Sequence, residues 1–363
     1  MTTAGDAVTE PVDLDALSER IVSPDWTARS AAQQRQRQLT KPEGALGRLE
    51  DLSVWLSAAH GTCPPRPLDQ VCVVVFAGDH GTARTIGTSA YPPEVTAQMV
   101  LNFLAGGAAV NVLARRNGAR VRVVDMSVDV DYADLGVSVP AEVTAYKVRR
   151  SSGSIDREDA LTRQEAERAF AAGVAIADAE VDSGVDLLIP GDMGIGNTTA
   201  AAALVGLLTG ADASVVVGRG TGIDDETWMR KTAAVRDAMR RGRGLLTDPM
   251  AVLATVTGAD ITALVGFLLG AAARQTPVLL DGVVSCAAAV MAHRICHRSS
   301  EWFLAGSRST EPAQHRALER LNLEPIVDYG LRLGEGTGAL VALPVLAAAA
   351  ATLTEMATFD EAG

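Results

Sequence analysis

From Gln70 onward, short β-branched runs alternate with helical stretches, and no other feature constrains the fold of this chain so tightly. Val71–Phe76, Arg120–Val124, Val185–Ile189, Ser214–Val217 and Pro277–Leu280 read as strands; each is short, apolar and followed by Gly or Asp. Helical patterns fall between and after them, over Pro93–Arg116, Arg163–Asp182, Thr198–Leu208, Asp224–Arg241, Ile261–Arg274 and Ala287–His297. Strands separated by helices require right-handed crossovers, so the expected fold class is α/β with a parallel sheet. Residues 127–160 are irregular and charged and carry no predicted element. In such sheets ligands bind beyond the carboxyl ends of the strands, which makes the loops after the strands the places to look for chemistry.

Outside this alternating region the texture changes. Residues 1 to about 12 predict a frayed tail, and Leu14–Val22, Asp25–Leu39 and Leu49–Ala59 predict amphipathic helices before a proline-rich linker at 62–67. Ala339–Met356 predicts an Ala-rich closing helix kinked at Pro344. The expected division is an N-terminal helical segment at 1–66, a large α/β domain at 67–338 and a C-terminal helix at 339–363, the two ends together forming a small helical domain.

Composition narrows the function. The net charge of −12 repels phosphate backbones and argues against nucleic acid as a partner, although backbone N–H groups can still bind a small phosphorylated ligand. The four cysteines, Cys63, Cys72, Cys286 and Cys296, make no CxxC pair, as expected of free thiols in a reducing cytoplasm. The start MTTAGDAVTEPVDLD has no basic and then apolar region of a signal peptide. The longest apolar runs, Ile261–Ala273 and Ala339–Leu353, fall short of the ~20 residues of a membrane span and predict buried helices.

Five loops stand out. FAGDHG at 76–81 follows the first strand; Asp79 and His80 are either site residues or a turn cap and a structural histidine. LIPGDMGIGNTT at 188–199 places Gly191, Gly194 and Gly196 before a helix opened by Asn197 and Thr198, a geometry that aims N–H groups at an anion. Asn197 stands where a P-loop has its lysine, so one phosphate fits better than ATP. VGRGTG at 217–222 offers Gly218, Gly220, Thr221 and Gly222 for a phosphate. LRLGEGTG at 331–338 sets Glu335 between Gly334 and Gly336, two glycines expected to contact substrate because they let it approach closely; the carboxylate is either solvated in a surface turn or, if partly desolvated, a base of raised pKa. DGVVSCAA at 281–288 holds Ser285, as a helix cap, a phosphate donor or both. His293, Cys296 and His297 have helical spacing, but no further His/Cys group or nearby acid motif joins them, and they predict no metal site.

Taken together, these loops, with SAYPPEVTAQM at 89–99 and NFLAGGA at 102–108, make the chain resemble the nicotinate-nucleotide–dimethylbenzimidazole phosphoribosyltransferase family from Lys41 to the C-terminus. The resemblance implies a Rossmann-like domain with a small helical domain, a homodimer, no metal and no cofactor. It implies transfer of ribose 5-phosphate from nicotinate mononucleotide to 5,6-dimethylbenzimidazole, with the family's glutamate at Glu335. It puts phosphate and ribose on 191–199, on 218–222 and on Ser285, and the aromatic acceptor near Ser89, Tyr91, Gln98, Met193 and Leu333. Asp192 departs from the family's usual glutamate and is expected to act as a secondary carboxylate. Other readings of the same loops are a different aromatic acceptor, a non-catalytic nucleotide sensor and a kinase, the last disfavoured by Asn197.

Overall fold

The computed structural model describes residues 11–362, so nearly all of the tail expected at 1–12 lies outside the described residues. Six strands form one parallel sheet: β1 (Val71–Gly78), β2 (Arg120–Ser127), β3 (Leu187–Met193), β4 (Val278–Leu280), β5 (Phe303–Ser309) and β6 (Pro325–Leu331). Their order is β2-β1-β3-β4-β5-β6, so the winding direction reverses between β1 and β3.

β1 shows why the sheet is buried on both faces. Cys72, Val74 and Phe76 enter one apolar core; Val71, Val73, Val75 and Ala77 enter the other. Helices Arg163–Asp182, Asn197–Thr209, Ala259–Ala273 and Val283–Ile295 fill the first core, and Val95–Ala105, Ala109–Arg116, Arg48–His60 and Thr337–Glu355 cover the second. The helix Ala259–Ala273 is buried at every residue but its last. It crosses Arg163–Asp182 backbone to backbone: a Cβ on Gly266 would lie 2.1 Å from the Phe170 carbonyl oxygen, and one on Gly173 would lie 1.9 Å from that of Ala263.

The structure departs from the sequence expectation in four places. Residues expected as a strand at Ser214–Val217 form the short helix Ala213–Val216, started by Asp212, whose carboxylate accepts from Ser214 N at 2.9 Å. β5 and β6 were not expected. The single helix expected over Pro93–Arg116 is two helices, because Gly106 takes a left-handed φ of 76° and ends the first. Within 127–160 there are one 3₁₀ turn at Tyr132–Leu135 and one short helix at Ala141–Thr144.

The chain ends meet. Leu39 bridges Thr358, and Ala32, Leu39, Val54 and Leu353 share a small core. The closing helix Thr337–Glu355 serves both regions: Ala339, Leu340, Leu343 and Leu346 pack on the sheet, while Leu353 packs against the N-terminal helices. By length and composition this helix is apolar enough to cross a membrane, but these contacts bury its apolar face within the protein.

Candidate active site

A cavity of about 710 Å³ opens over the carboxyl ends of β3 to β6, where an open parallel sheet takes its ligands. Each strand exit contributes to it. β3 delivers Asp192 and Met193, then the loop through Gly194 and Gly196 to Asn197 and Thr198 at the start of a 13-residue helix. β4 delivers Asp281, β5 delivers Ser307 and Ser309, and β6 delivers Leu333, Gly334 and Glu335. Thr88, Ser89, Tyr91, Val95 and Met99 close one side, and Gly220 and Thr221 another.

Glu335 sits in an unusual backbone. Its φ of 66° is left-handed and lies between Gly334 at 84° and Gly336 at 92°. A non-glycine residue held there carries strain of about 1–3 kcal/mol, and such residues cluster at functional sites. What holds it is Asp281. One carboxylate oxygen accepts from Gly336 N and the other from Ala339 N, each at 3.0 Å, so the end of β4 caps the helix that begins just after Glu335. Glu335 is 3% exposed and its Oε2 has no hydrogen-bond partner. Burial, with the charge of Asp281 adding to it, pushes its carboxyl up to about 7; the Val110 N–H partly offsets the rise.

Asp192 is the second carboxylate. Its Oδ2 accepts from Asn197 Nδ2 at 2.7 Å and its buried Oδ1 is free. Burial, then the charges of Asp281, Asp260 and Glu335, hold its pKa well above the ordinary aspartate value. These surroundings favour its protonated form more than water favours that of a solvated aspartate.

A lysine not singled out from the sequence backs the two glycine loops. Lys231 is 1% exposed, and its Nζ donates to Thr198 Oγ1 at 2.8 Å and to the Gly218 carbonyl at 3.2 Å. Burial lowers its pKa to about 8, with the nearby Glu311 opposing the fall. Glu311 in turn accepts from Gly220 N at 2.7 Å. The signal for Lys231 was present: it falls on the buried face of its helix with Ala234, Val235 and Ala238. Ser307, Ser309 and Glu311 had no such signal, since they stand at the end of an unanticipated strand.

Several expected contacts lie elsewhere. Ser285 is fully buried and its hydroxyl is committed, accepting from Asp281 N and donating to the Gly282 carbonyl, so it holds the β4 exit and does not line the cavity. Gln98 is exposed and its helix turns Val95 and Met99 to the cavity in its place. Gly191 and Gly336 face protein: a Cβ on the first would meet the Glu335 carbonyl at 2.6 Å, and one on the second would meet Val73 Cγ1 at 2.6 Å. They let the Glu335 loop lie directly on β3. Gly218 and Gly222 open onto an adjoining cleft of about 680 Å³. Thr221 lines the cavity, but its hydroxyl accepts from Ala90 N at 2.9 Å and so ties down the Ser89 segment. The VGRGTG loop follows a helix, not the strand expected before it.

Comparison with known proteins agrees with this geometry. A phosphoribosyltransferase family model matches residues 21–363. The nicotinate-nucleotide–dimethylbenzimidazole phosphoribosyltransferase of Mycobacterium avium (strain 104) is 59% identical over 340 residues, covering 94% of this chain and 95% of its own. That of Mycobacterium tuberculosis (strain ATCC 25618 / H37Rv) is 58% identical over 343 residues, covering 94% and 93%. The crystal structure of CobT from Thermus thermophilus superposes with a TM-score of 0.87 at 43% identity, covering 93% of this chain and 98% of its own. With a matching family model, close relatives along almost its whole length and the same parallel-sheet fold, this chain belongs to the nicotinate-nucleotide–dimethylbenzimidazole phosphoribosyltransferase family.

Proposed function

We propose that this protein transfers the 5-phosphoribosyl group of nicotinate mononucleotide to 5,6-dimethylbenzimidazole, giving α-ribazole 5′-phosphate and nicotinate, with Glu335 as general base. The observation that carries the reading is the Glu335 carboxylate: buried in the cavity wall, held in a strained backbone, with a free oxygen and a pKa near neutrality.

The donor's pyridinium ring is already cationic. When its bond to C1′ breaks, the ring nitrogen keeps the electron pair and nicotinate leaves with no need of a proton. One nitrogen of the benzimidazole forms the new bond to C1′ from the opposite face, inverting the configuration. The proton on its other nitrogen passes to Glu335. Asp192, whose surroundings favour its protonated form, holds the Asn197 amide as a secondary carboxylate beside the base. The helix N-terminus at Asn197 and Thr198 receives the donor's phosphate. Lys231 lends its charge there through the Thr198 hydroxyl, which accepts from Nζ and remains free to donate. Met193, Tyr91 and Leu333 offer apolar surface for the acceptor ring. The cytoplasmic, homodimeric state of the protein belongs to the same reading.

The test is chromatographic. Purified protein with nicotinate mononucleotide and 5,6-dimethylbenzimidazole, without added metal, is expected to release nicotinate and the ribotide in equal amounts. Nicotinate without the ribotide would overturn the transfer to this acceptor.

A further inference from the structure

The Asp79–His80 pair that ends β1 lies outside the cavity, behind its wall. The winding of the sheet reverses between β1 and β3, and the crevice beyond those two strand ends is where a parallel sheet of this kind ordinarily admits its ligand. In this protein side chains occupy it. His80 is 3% exposed, and its Nε2 lies 2.9 Å from Oδ2 of Asp260, which is fully buried. The ring is clamped from two sides: a Cβ on Gly196 would lie 3.0 Å from His80 Cβ, and a Cβ on Gly258 would lie 2.8 Å from His80 Cε1. Gly196 belongs to the loop that leaves β3; Gly258 begins the buried helix Ala259–Ala273.

Asp79 reaches the same loop by a second route. Its Oδ1 accepts from Thr96 Oγ1 at 2.6 Å, and Thr96 Oγ1 accepts from Ile195 N at 3.1 Å. Its Oδ2 accepts from Asp129 N at 2.8 Å. Gly194, Ile195 and Gly196 are thus gripped from behind by two buried polar links while their front faces the cavity.

We infer that the His80–Asp260 pair and the Asp79–Thr96 link are positioning groups that fix the 194–197 loop in the shape that binds the donor. The inference rests on the donor-binding role given to that loop above. A packing role alone does not call for this chemistry. His80 Nδ1, Asp260 Oδ1 and Ser127 Oγ are buried there without partners, and buried unsatisfied polar atoms are costly. A buried ion pair can be replaced by apolar side chains of similar volume with little or no loss of stability, and its best-attested use is to specify one arrangement over others. Burial opposes the charge on His80, but Asp260 and then Asp79 outweigh it and raise its pKa, which favours a charged ring against Asp260. The charge of Asp260 also raises the pKa of Asp192, so one carboxylate acts on both the anchor and the site.

The apolar replacement supplies the test. The double variant His80→Leu/Asp260→Leu is expected to fold with a melting temperature near that of the wild type. Its dissociation constant for nicotinate mononucleotide, measured by calorimetry, is expected to rise by at least about tenfold, with KM for the acceptor unchanged. His80→Gln, which keeps a donor for Asp260, is expected to recover most of the donor affinity. Thr96→Val cuts the second link without touching the ion pair and is expected to weaken donor binding as well; it serves alone if the double variant does not fold. Wild-type donor affinity in the double variant, or in Thr96→Val, would overturn the inference, as would an equal loss for donor and acceptor. A wild-type protein that does not bind nicotinate mononucleotide would also overturn it. A wild-type protein that binds the donor but forms no ribotide would instead count against the transferase reading alone.

Discussion

At the scale of single residues, the site is a set of ionisable groups moved from their ordinary pKa values by burial. Glu335 is raised to about 7 and Lys231 lowered to about 8. The base works as a carboxylate, so activity gains as pH rises through about 7. The lysine works as an ammonium, so donor binding weakens as pH rises through about 8. The kcat/KM for nicotinate mononucleotide, which reports the free enzyme, is therefore expected to follow a narrow bell with limbs near those values. Lys231→Met is expected to remove the alkaline limb and to raise KM for the donor by about tenfold or more, the cost of losing a charge-assisted hydrogen bond. A profile flat across neutral pH would contradict the assignment of both groups. Glu335 was legible in the sequence because glycines on both sides isolate it; its strained backbone and its free oxygen were not, since both arise from tertiary packing, including the cap that Asp281 supplies from 54 residues away in the chain.

At the scale of elements, the site depends on how one strand exit is tied to the next. Asp281 at the end of β4 uses both carboxylate oxygens to cap the helix that follows Glu335. Asp281→Asn keeps the shape but offers only one acceptor. It is expected to lower kcat by about tenfold or more through misplacement of Glu335. It also removes a charge that raises the Glu335 pKa, so the acid limb of the pH profile is expected to move to lower pH. An unmoved limb with normal kcat would show that the cap is not needed. The strands that hold this arrangement were unevenly legible. β1 to β4 carry apolar runs ahead of Gly or Asp, and these runs mark the strands to within a few residues. β5, FLAGSRS, is half polar and has no β-branched residue. β6, PIVDYGL, begins with proline on the sheet edge, is largely exposed at its end and has only Ile326 and Val327 as a β-branched run. Ser214–Val217 has such a run, but four residues are too few for periodicity to separate strand from helix, and the Asp212 cap decides for the helix. Ser307, Ser309 and Glu311 were missed with β5.

At the scale of the whole molecule, the two chain ends close on one another behind the sheet. Arg35 donates through Nε to the Leu353 carbonyl at 2.7 Å and through Nη2 to those of Thr354 and Met356, covering the carboxyl end of the closing helix. The same helix begins at the Glu335 loop, so one rigid element joins the site to the terminal contacts. Arg35→Ala is expected to cost about 1–3 kcal/mol in denaturant unfolding, with kcat little changed because the loss falls at the far end of the helix. Undiminished stability would show that the contact is decorative. The sequence suggests that the ends associate, because both are helical and flank the alternating region, but it does not give their contacts, since no local pattern connects residues more than 300 positions apart.

All three scales converge on one carboxylate, so the most direct measurement compares wild type with Glu335→Gln in a single-turnover reaction of nicotinate mononucleotide with 5,6-dimethylbenzimidazole. The amide keeps the shape of the side chain and cannot take a proton. The expected result is unchanged donor affinity with ribotide formation slowed by about 100-fold or more. Formation of the ribotide at the wild-type rate would contradict the assignment of Glu335 as the base.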